Sequence, residues 1–168
     1  MSTYRYAAYG SNLHPQRLKK RAASATLIGT SFLPSWALQF SKKSDKDGTG
    51  KCTISGGGEG VYLAIFEIDS SERVELDRCE GLGCGYNDLI INDPNFGVCT
   101  AYVADEGSID ESLIPVDWYK EYVILGCEYN RFPHDYIERV RNTQSCEDSD
   151  KNRRQTEWAL VEEIRRGN

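Results

Sequence analysis

At 168 residues, 39% apolar and 27% charged, the chain has the length and balance of one ordinary globular domain, which excludes a fully disordered polymer and a sequence too short to bury a core. Its formal charge of −6 argues against nucleic acid as a partner, because phosphate-backbone binding draws on clustered Lys and Arg. No stretch approaches the ~20 apolar residues of a membrane-spanning helix, and Tyr4 to Tyr9 is too short and interrupted for the apolar core of a signal peptide, so no membrane association is expected and the protein is read as cytoplasmic. Its six cysteines, Cys52, Cys79, Cys84, Cys99, Cys127 and Cys146, are then expected to be reduced, most of them serving as small buried apolar residues.

Tyr4 to Tyr9 reads as a first strand that stops at Gly10-Ser11-Asn12, residues that favour turns and unusual backbone angles. His14-Pro15-Gln16-Arg17-Leu18 fits the start of a helix, because proline is tolerated in a first turn whose N–H groups lack intrahelical partners. The basic cluster Arg17, Lys19, Lys20 and Arg21 is read as the solvated face of that helix. From Ala25 to Phe40, β-branched and aromatic residues broken by Pro34 predict two strands meeting at a bend. Lys42 to Gly50 is a polar run suited to a mobile loop, Cys52 to Ile54 a short strand, Gly56-Gly57-Gly58 a bend, and Val61 to Ile68 a buried strand.

Asp69 with Glu72 resembles a capping box opening a short helix that ends before Gly81. Tyr86 to Asn92 and Gly97 to Ala104 read as a hairpin about Asp93-Pro94-Asn95-Phe96. Val116 to Tyr129 and Pro133 to Val140 carry helical periodicity, and Asn142 to Arg153 is polar and loose. Thr156 to Arg166 reads as a terminal helix with Trp158, Leu160, Val161 and Ile164 on its apolar side. Strands first and helices after predict a single α+β domain over residues 1–168, a sheet or small barrel with helices packed on it, in which 142–168 is a C-terminal extension.

Two places can carry chemistry. Successive N–H groups in the turn Gly10-Ser11-Asn12, ahead of a helix start, form a concavity suited to a carboxylate or an oxyanion, although turn chemistry alone ranks a plain connector first. Glu80 stands between a helix end and Gly81-Leu82-Gly83-Cys84-Gly85, where backbone can approach a ligand; a lone carboxylate is more often a surface or capping group.

Together they carry a resemblance. Tyr6-Ala7-Ala8-Tyr9-Gly10-Ser11-Asn12-Leu13 resembles the N-terminal signature of the γ-glutamylcyclotransferase family, and Leu76-Asp77-Arg78-Cys79-Glu80-Gly81 is similar to its second signature. The likeness continues through Gly85-Tyr86, Ala101-Tyr102, Trp118-Tyr119-Lys120, Gly126 and Pro133, and covers about Tyr4 to Arg141. It implies a small mixed β-barrel with flanking helices, and an enzyme that converts a small-molecule γ-glutamyl substrate into 5-oxoproline and a free amine or amino acid. It also implies that the backbone of Tyr9, Gly10, Ser11, Asn12 and Leu13 binds the glutamyl part, that Glu80 is the acid–base group, and that Tyr86, Tyr102 and Tyr119 stand around the pocket. Tyr102 reads equally well as core packing, and Trp36, Phe40 and the polar loop after them are a candidate lid.

The chemistry agrees with these residue types. The substrate's own α-amine attacks its γ-carbonyl, so the nucleophile is tethered and neither a Ser or Cys nucleophile nor a metal or organic cofactor is required. One carboxylate can take the amine's proton and return it to the departing nitrogen, while N–H groups hold the α-carboxylate or the developing oxyanion. Two rivals stand beside this reading: a γ-glutamylamine cyclotransferase or biosynthetic γ-glutamyl-removing enzyme of the same fold, and a non-catalytic binder of an acidic small molecule. A homodimer is the candidate assembly. Zinc at Cys79 and Cys84 is not expected, since no second ligand pair stands at suitable spacing, and His14 and His134 are isolated residues near helix starts, exposed or capping.

Overall fold

The computed structural model describes residues 2–167. Strand β1 (Thr3–Ala8) leads through a tight loop to the short helix α1 (Pro15–Lys19), then to β2 (Thr26–Leu33) and β3 (Trp36–Lys43). β4 (Gly50–Gly56) and β5 (Val61–Asp69) precede α2 (Arg73–Glu80), and β6 (Tyr86–Asp93) and β7 (Gly97–Ala104) form a hairpin. Three helices close the chain, α3 (Asp117–Tyr129), α4 (His134–Arg141) and α5 (Lys151–Arg166). Among the described residues no helix is long and apolar enough to cross a membrane.

The α+β order read from the sequence is present, but the strands form two sheets and no closed barrel. A five-stranded sheet runs β2-β5-β1-β7-β6, with β1 antiparallel to β5 and parallel to β7. Among the strands of the described residues, β3 and β4 pair only with each other, and β3 makes one further bridge from Lys42 to Ile109. The chain leaves the main sheet at Pro34-Ser35, where proline cannot donate to a ladder and Ser35 takes a left-handed backbone, φ 63°. β1 is the central strand, and Tyr6, Ala7 and Ala8 are buried in succession because both of its faces are covered. β5 buries Val61, Leu63, Ala64, Ile65, Phe66 and Ile68, as its near-continuous apolar run predicts.

Local signals act where they stand. His14 caps α1, its Nδ1 accepting from Gln16 N at 3.2 Å, and is buried, not exposed. Asp93 Oδ1 accepts from the N–H groups of Asn95 and Phe96 at 2.8 and 3.0 Å and so fixes the β6–β7 turn. Gly81 ends α2 in the left-handed region, φ 75°. Asp69 caps the turn before α2, but Glu72 binds Ser24 and does not complete a capping box.

Two expectations change. The polar run from Lys42 is partly strand, since Lys42 pairs with Lys51 and Lys43 with Gly50, leaving 44–49 as the connection. The segment 142–153 is also ordered: Cys146 bridges to Val116, Asp148 is buried, and α5 starts at Lys151 with Asp150 as its cap. Val161 and Ile164 of α5 join the same apolar core as Leu13, Phe66 and Tyr122.

Candidate active site

β1 delivers Tyr9 and the loop after it to the edge of the core. Leu13 N–H donates to Gly10 O at 3.2 Å, which closes the turn, while the N–H groups of Gly10, Ser11 and Asn12 have no partner among the described residues. The loop is pinned from behind by α3, where Asn130 Nδ2 donates to Leu13 O at 2.9 Å. A Cβ on Gly126 would stand 2.3 Å from Leu13 Cβ, so helix and loop touch backbone to side chain. From the other side Cys52 of β4 packs on Gly10, where an added Cβ would come within 2.8 Å of Cys52 Cβ. Leu13 is fully buried under this packing and does not line the cavity.

Glu80 is the last residue of α2, and the left-handed Gly81 turns the chain away behind it. Its Oε1 accepts from Asn12 Nδ2 at 2.8 Å and from the Arg21 guanidinium, and Asn12 Nδ2 also reaches the Tyr6 hydroxyl at 3.1 Å. Oε2 has no partner among the described residues. Arg21 overturns the reading of the basic cluster as one solvated face. Lys19 and Lys20 are exposed, but Arg17 is buried over the ring of Tyr122, and Arg21 turns inward to Glu80.

The tyrosines brace the site. Tyr86 donates to Cys52 O at 2.7 Å and Cys52 N–H donates to Tyr119 Oη at 3.0 Å, so these two phenols hold β4 against the opening loop. Tyr9 donates to Tyr102 O, and Tyr102 donates to Asp77 Oδ1. Burial pushes the phenols of Tyr6, Tyr9, Tyr86, Tyr102 and Tyr119 above their ordinary range, keeping them neutral. Burial also pushes the Cys52 thiol up to about 12, so Cys52 is a packing group and not a thiolate nucleophile.

Tyr9, Gly10, Ser11, Asn12, Glu80, Tyr86, Tyr102 and Tyr119 converge on one narrow cavity of about 30 Å³. Tyr6, which heads the first motif, and Cys52 line it too, neither of them expected as a site residue from the sequence. The cavity opens, past Ser11, Glu80, Tyr86 and Tyr119, into an outer hollow of about 530 Å³ bordered by Lys42, Ser44, Asp45 and Lys46 of the β3–β4 hairpin. Trp36 and Phe40 line a different hollow, with Tyr136 and Arg139. Arg21 lies in the turn after α1, and its partner, 59 residues away, leaves no local trace in the sequence. Cys79 and Cys84 are exposed at the outer hollow, and among the described residues no three His, Cys, Asp or Glu side chains group to hold a metal.

The α+β frame that brings this loop and Glu80 together has the γ-glutamyl cyclotransferase fold. A solved structure named Gamma-glutamyl cyclotransferase superposes with a TM-score of 0.79 over 96% of this chain and 99% of its own, at 20% identity. An uncharacterized human protein does so at 0.78, with 21% identity and the same coverage. In sequence, the Gamma-glutamylcyclotransferase of Mus musculus is 28% identical over 149 residues, 83% of this chain and 78% of that protein. The human protein of that name is 26% identical over the same shares. No protein-family model matches the chain. The likeness first carried by two short motifs thus extends over most of the chain and over the fold.

Proposed function

We propose that this protein is a γ-glutamylcyclotransferase, releasing 5-oxoproline and a free amine or amino acid from a γ-glutamyl substrate. The observation that carries the reading is the placing of Glu80, with Oε2 unengaged, across from the free N–H groups of Gly10, Ser11 and Asn12. The substrate's α-carboxylate or developing oxyanion takes those N–H groups. Glu80 takes a proton from the α-ammonium, the freed amine attacks the γ-carbonyl carbon, and the tetrahedral intermediate collapses as Glu80 returns that proton to the departing nitrogen; the second proton, shed by the ring nitrogen as it becomes the lactam N–H, leaves with the released amine as its ammonium. The ring C–N bond forms and the γ-amide C–N bond breaks, with no net change in protons. Asn12 and Arg21 orient the carboxylate through Oε1, and the buried phenols shape the cavity. Packing of α5 into the common core supports reading residues 1–168 as one domain.

The test is to incubate the pure protein with a panel of γ-glutamyl dipeptides and γ-glutamyl amines and to follow 5-oxoproline by mass spectrometry. Turnover by the wild type, lost in Glu80→Gln, is expected. Full turnover by Glu80→Gln would sink the mechanism, and binding of γ-glutamyl compounds without any 5-oxoproline would make the protein a binding module.

A further inference from the structure

Lys42 lies on β3 at 6% exposure, yet its ammonium has no carboxylate or hydrogen-bond partner among the described residues. What it touches is the face of Tyr86, with Nζ 5.1 Å from the ring centroid. A lysine is seldom buried without a counter-charge, because desolvating an ammonium is costly and a cation–π contact offsets only part of that cost. The position is built in. Lys42 is held in register opposite Lys51 and bridges to Ile109, and Gly85 leaves the space that its chain occupies, since a Cβ there would stand 2.9 Å from Nζ.

The surrounding charges do not neutralise it. Lys51 is paired with Asp47 at 2.9 Å, Arg78 with Glu75, and Arg21 with Glu80. Asp45 and Lys46 at the rim are both exposed. Lys42 is therefore the buried cation left uncompensated at the outer hollow, which opens directly onto Glu80 and Tyr86.

We propose that Lys42 forms a carboxylate-binding subsite for the leaving half of the substrate, so that the chain selects an amino acid or short peptide over a simple amine as the group released. This rests on the reaction proposed above. The narrow cavity is the smaller of the two and holds the loop N–H groups proposed for the glutamyl unit, and Glu80 borders both spaces, so the departing nitrogen and all beyond it face the outer hollow. An amino acid bound through that nitrogen carries a carboxylate two bonds away, and a charge-assisted contact with Nζ supplies the missing counter-charge. A leaving group that is neutral or cationic leaves Lys42 unpaired.

The test uses γ-glutamyl-alanine and γ-glutamyl-alaninamide, which differ in that carboxylate alone. The wild type is expected to favour the acid by about tenfold or more in kcat/KM, mostly through KM. Lys42→Met and Lys42→Gln should bring the ratio towards one, and Lys42→Arg should retain part of it; circular dichroism checks that each variant folds. A wild type without the preference, or a folded Lys42→Met or Lys42→Gln protein with the preference intact, overturns the proposal. If the wild type releases 5-oxoproline from neither compound, the reaction is wrong and calorimetry with the same two compounds judges the subsite alone. Tighter binding of the acid, lost in Lys42→Gln, sustains it; equal or absent binding overturns it.

Discussion

The Asn12 carboxamide stands 2.8 Å from Glu80 Oε1 and 3.1 Å from the Tyr6 hydroxyl, so one side chain of the opening loop positions the carboxylate that ends α2, 68 residues further on. The turn and the glutamate are thus one unit: moving the loop moves the Glu80 carboxylate. Asn12→Ala is expected to lower kcat/KM for 5-oxoproline formation by about tenfold or more, the worth of a hydrogen bond to a charged group. Glu80→Gln, which removes the proposed proton carrier itself, should cost about 10²–10⁴-fold. Asn12→Asp should be worse than Asn12→Ala, because it sets a second carboxylate against the first. Equal activity in wild type and Asn12→Ala would show that the loop does not position Glu80.

Gly126 tests whether α3 fixes the loop from behind. On helix propensity alone Gly126→Ala would stabilise the protein by about 1 kcal/mol. Here the new Cβ would meet Leu13 Cβ at 2.3 Å and His14 N at 3.1 Å, and those atoms belong to the loop between β1 and α1. A net loss of about 1–3 kcal/mol is expected from overpacking. Turnover should fall with it as the loop shifts. Urea denaturation with a turnover assay checks both, and a stabilised, fully active variant would refute the contact.

What the sequence made legible was local. Asp93 writes its own turn through hydrogen bonds two and three residues on, Gly81 ends its own helix, and Pro15 starts one. The loop and Glu80 were marked by the resemblance of two short motifs, since turn chemistry alone ranks the loop a connector and a lone carboxylate a surface or capping group. Arg21 and Lys42 were misread for the opposite reason. Each looks like solvated charge, and only a distant partner, Glu80 for one and the Tyr86 ring for the other, turns it inward. The bend at Pro34-Ser35 was legible in the sequence, but the separation of β3 and β4 into their own sheet depends on strand pairing that periodicity cannot express.

The cysteines divide by environment. Cys79 and Cys84 are exposed beside the outer hollow, whereas Cys52, Cys99 and Cys127 are buried, and burial raises all three of those thiols, Cys52 to about 12. With a disulfide reagent at pH 8, Cys79 and Cys84 should react promptly, and Cys52, Cys99 and Cys127 only after denaturant is added. Mass mapping of the labelled sites reads the outcome. Rapid labelling of Cys52 in the folded protein would contradict the packing of β4 against Gly10.

Asp148 sets the acid limit of the C-terminal extension. The Arg153 side chain, with Nε donating at 2.6 Å, holds its carboxyl down to about 2 from 3.8, helped by the Trp118 indole N–H at 2.9 Å and the Asp150 N–H at 2.9 Å. A carboxyl depressed in the folded state stabilises fully above its unfolded value, near pH 4, and that contribution is lost as pH falls towards 2. The shift corresponds to about 2 kcal/mol. Asp148→Asn should therefore be less stable than wild type by about that amount at pH 6. The two proteins should converge as pH falls from 4 to 2, where wild-type Asp148 becomes protonated and the charge difference vanishes. Urea titrations at pH 6 and pH 2.5 measure this, and a gap that stays constant between them would mean that Asp148 contributes through shape and not through charge.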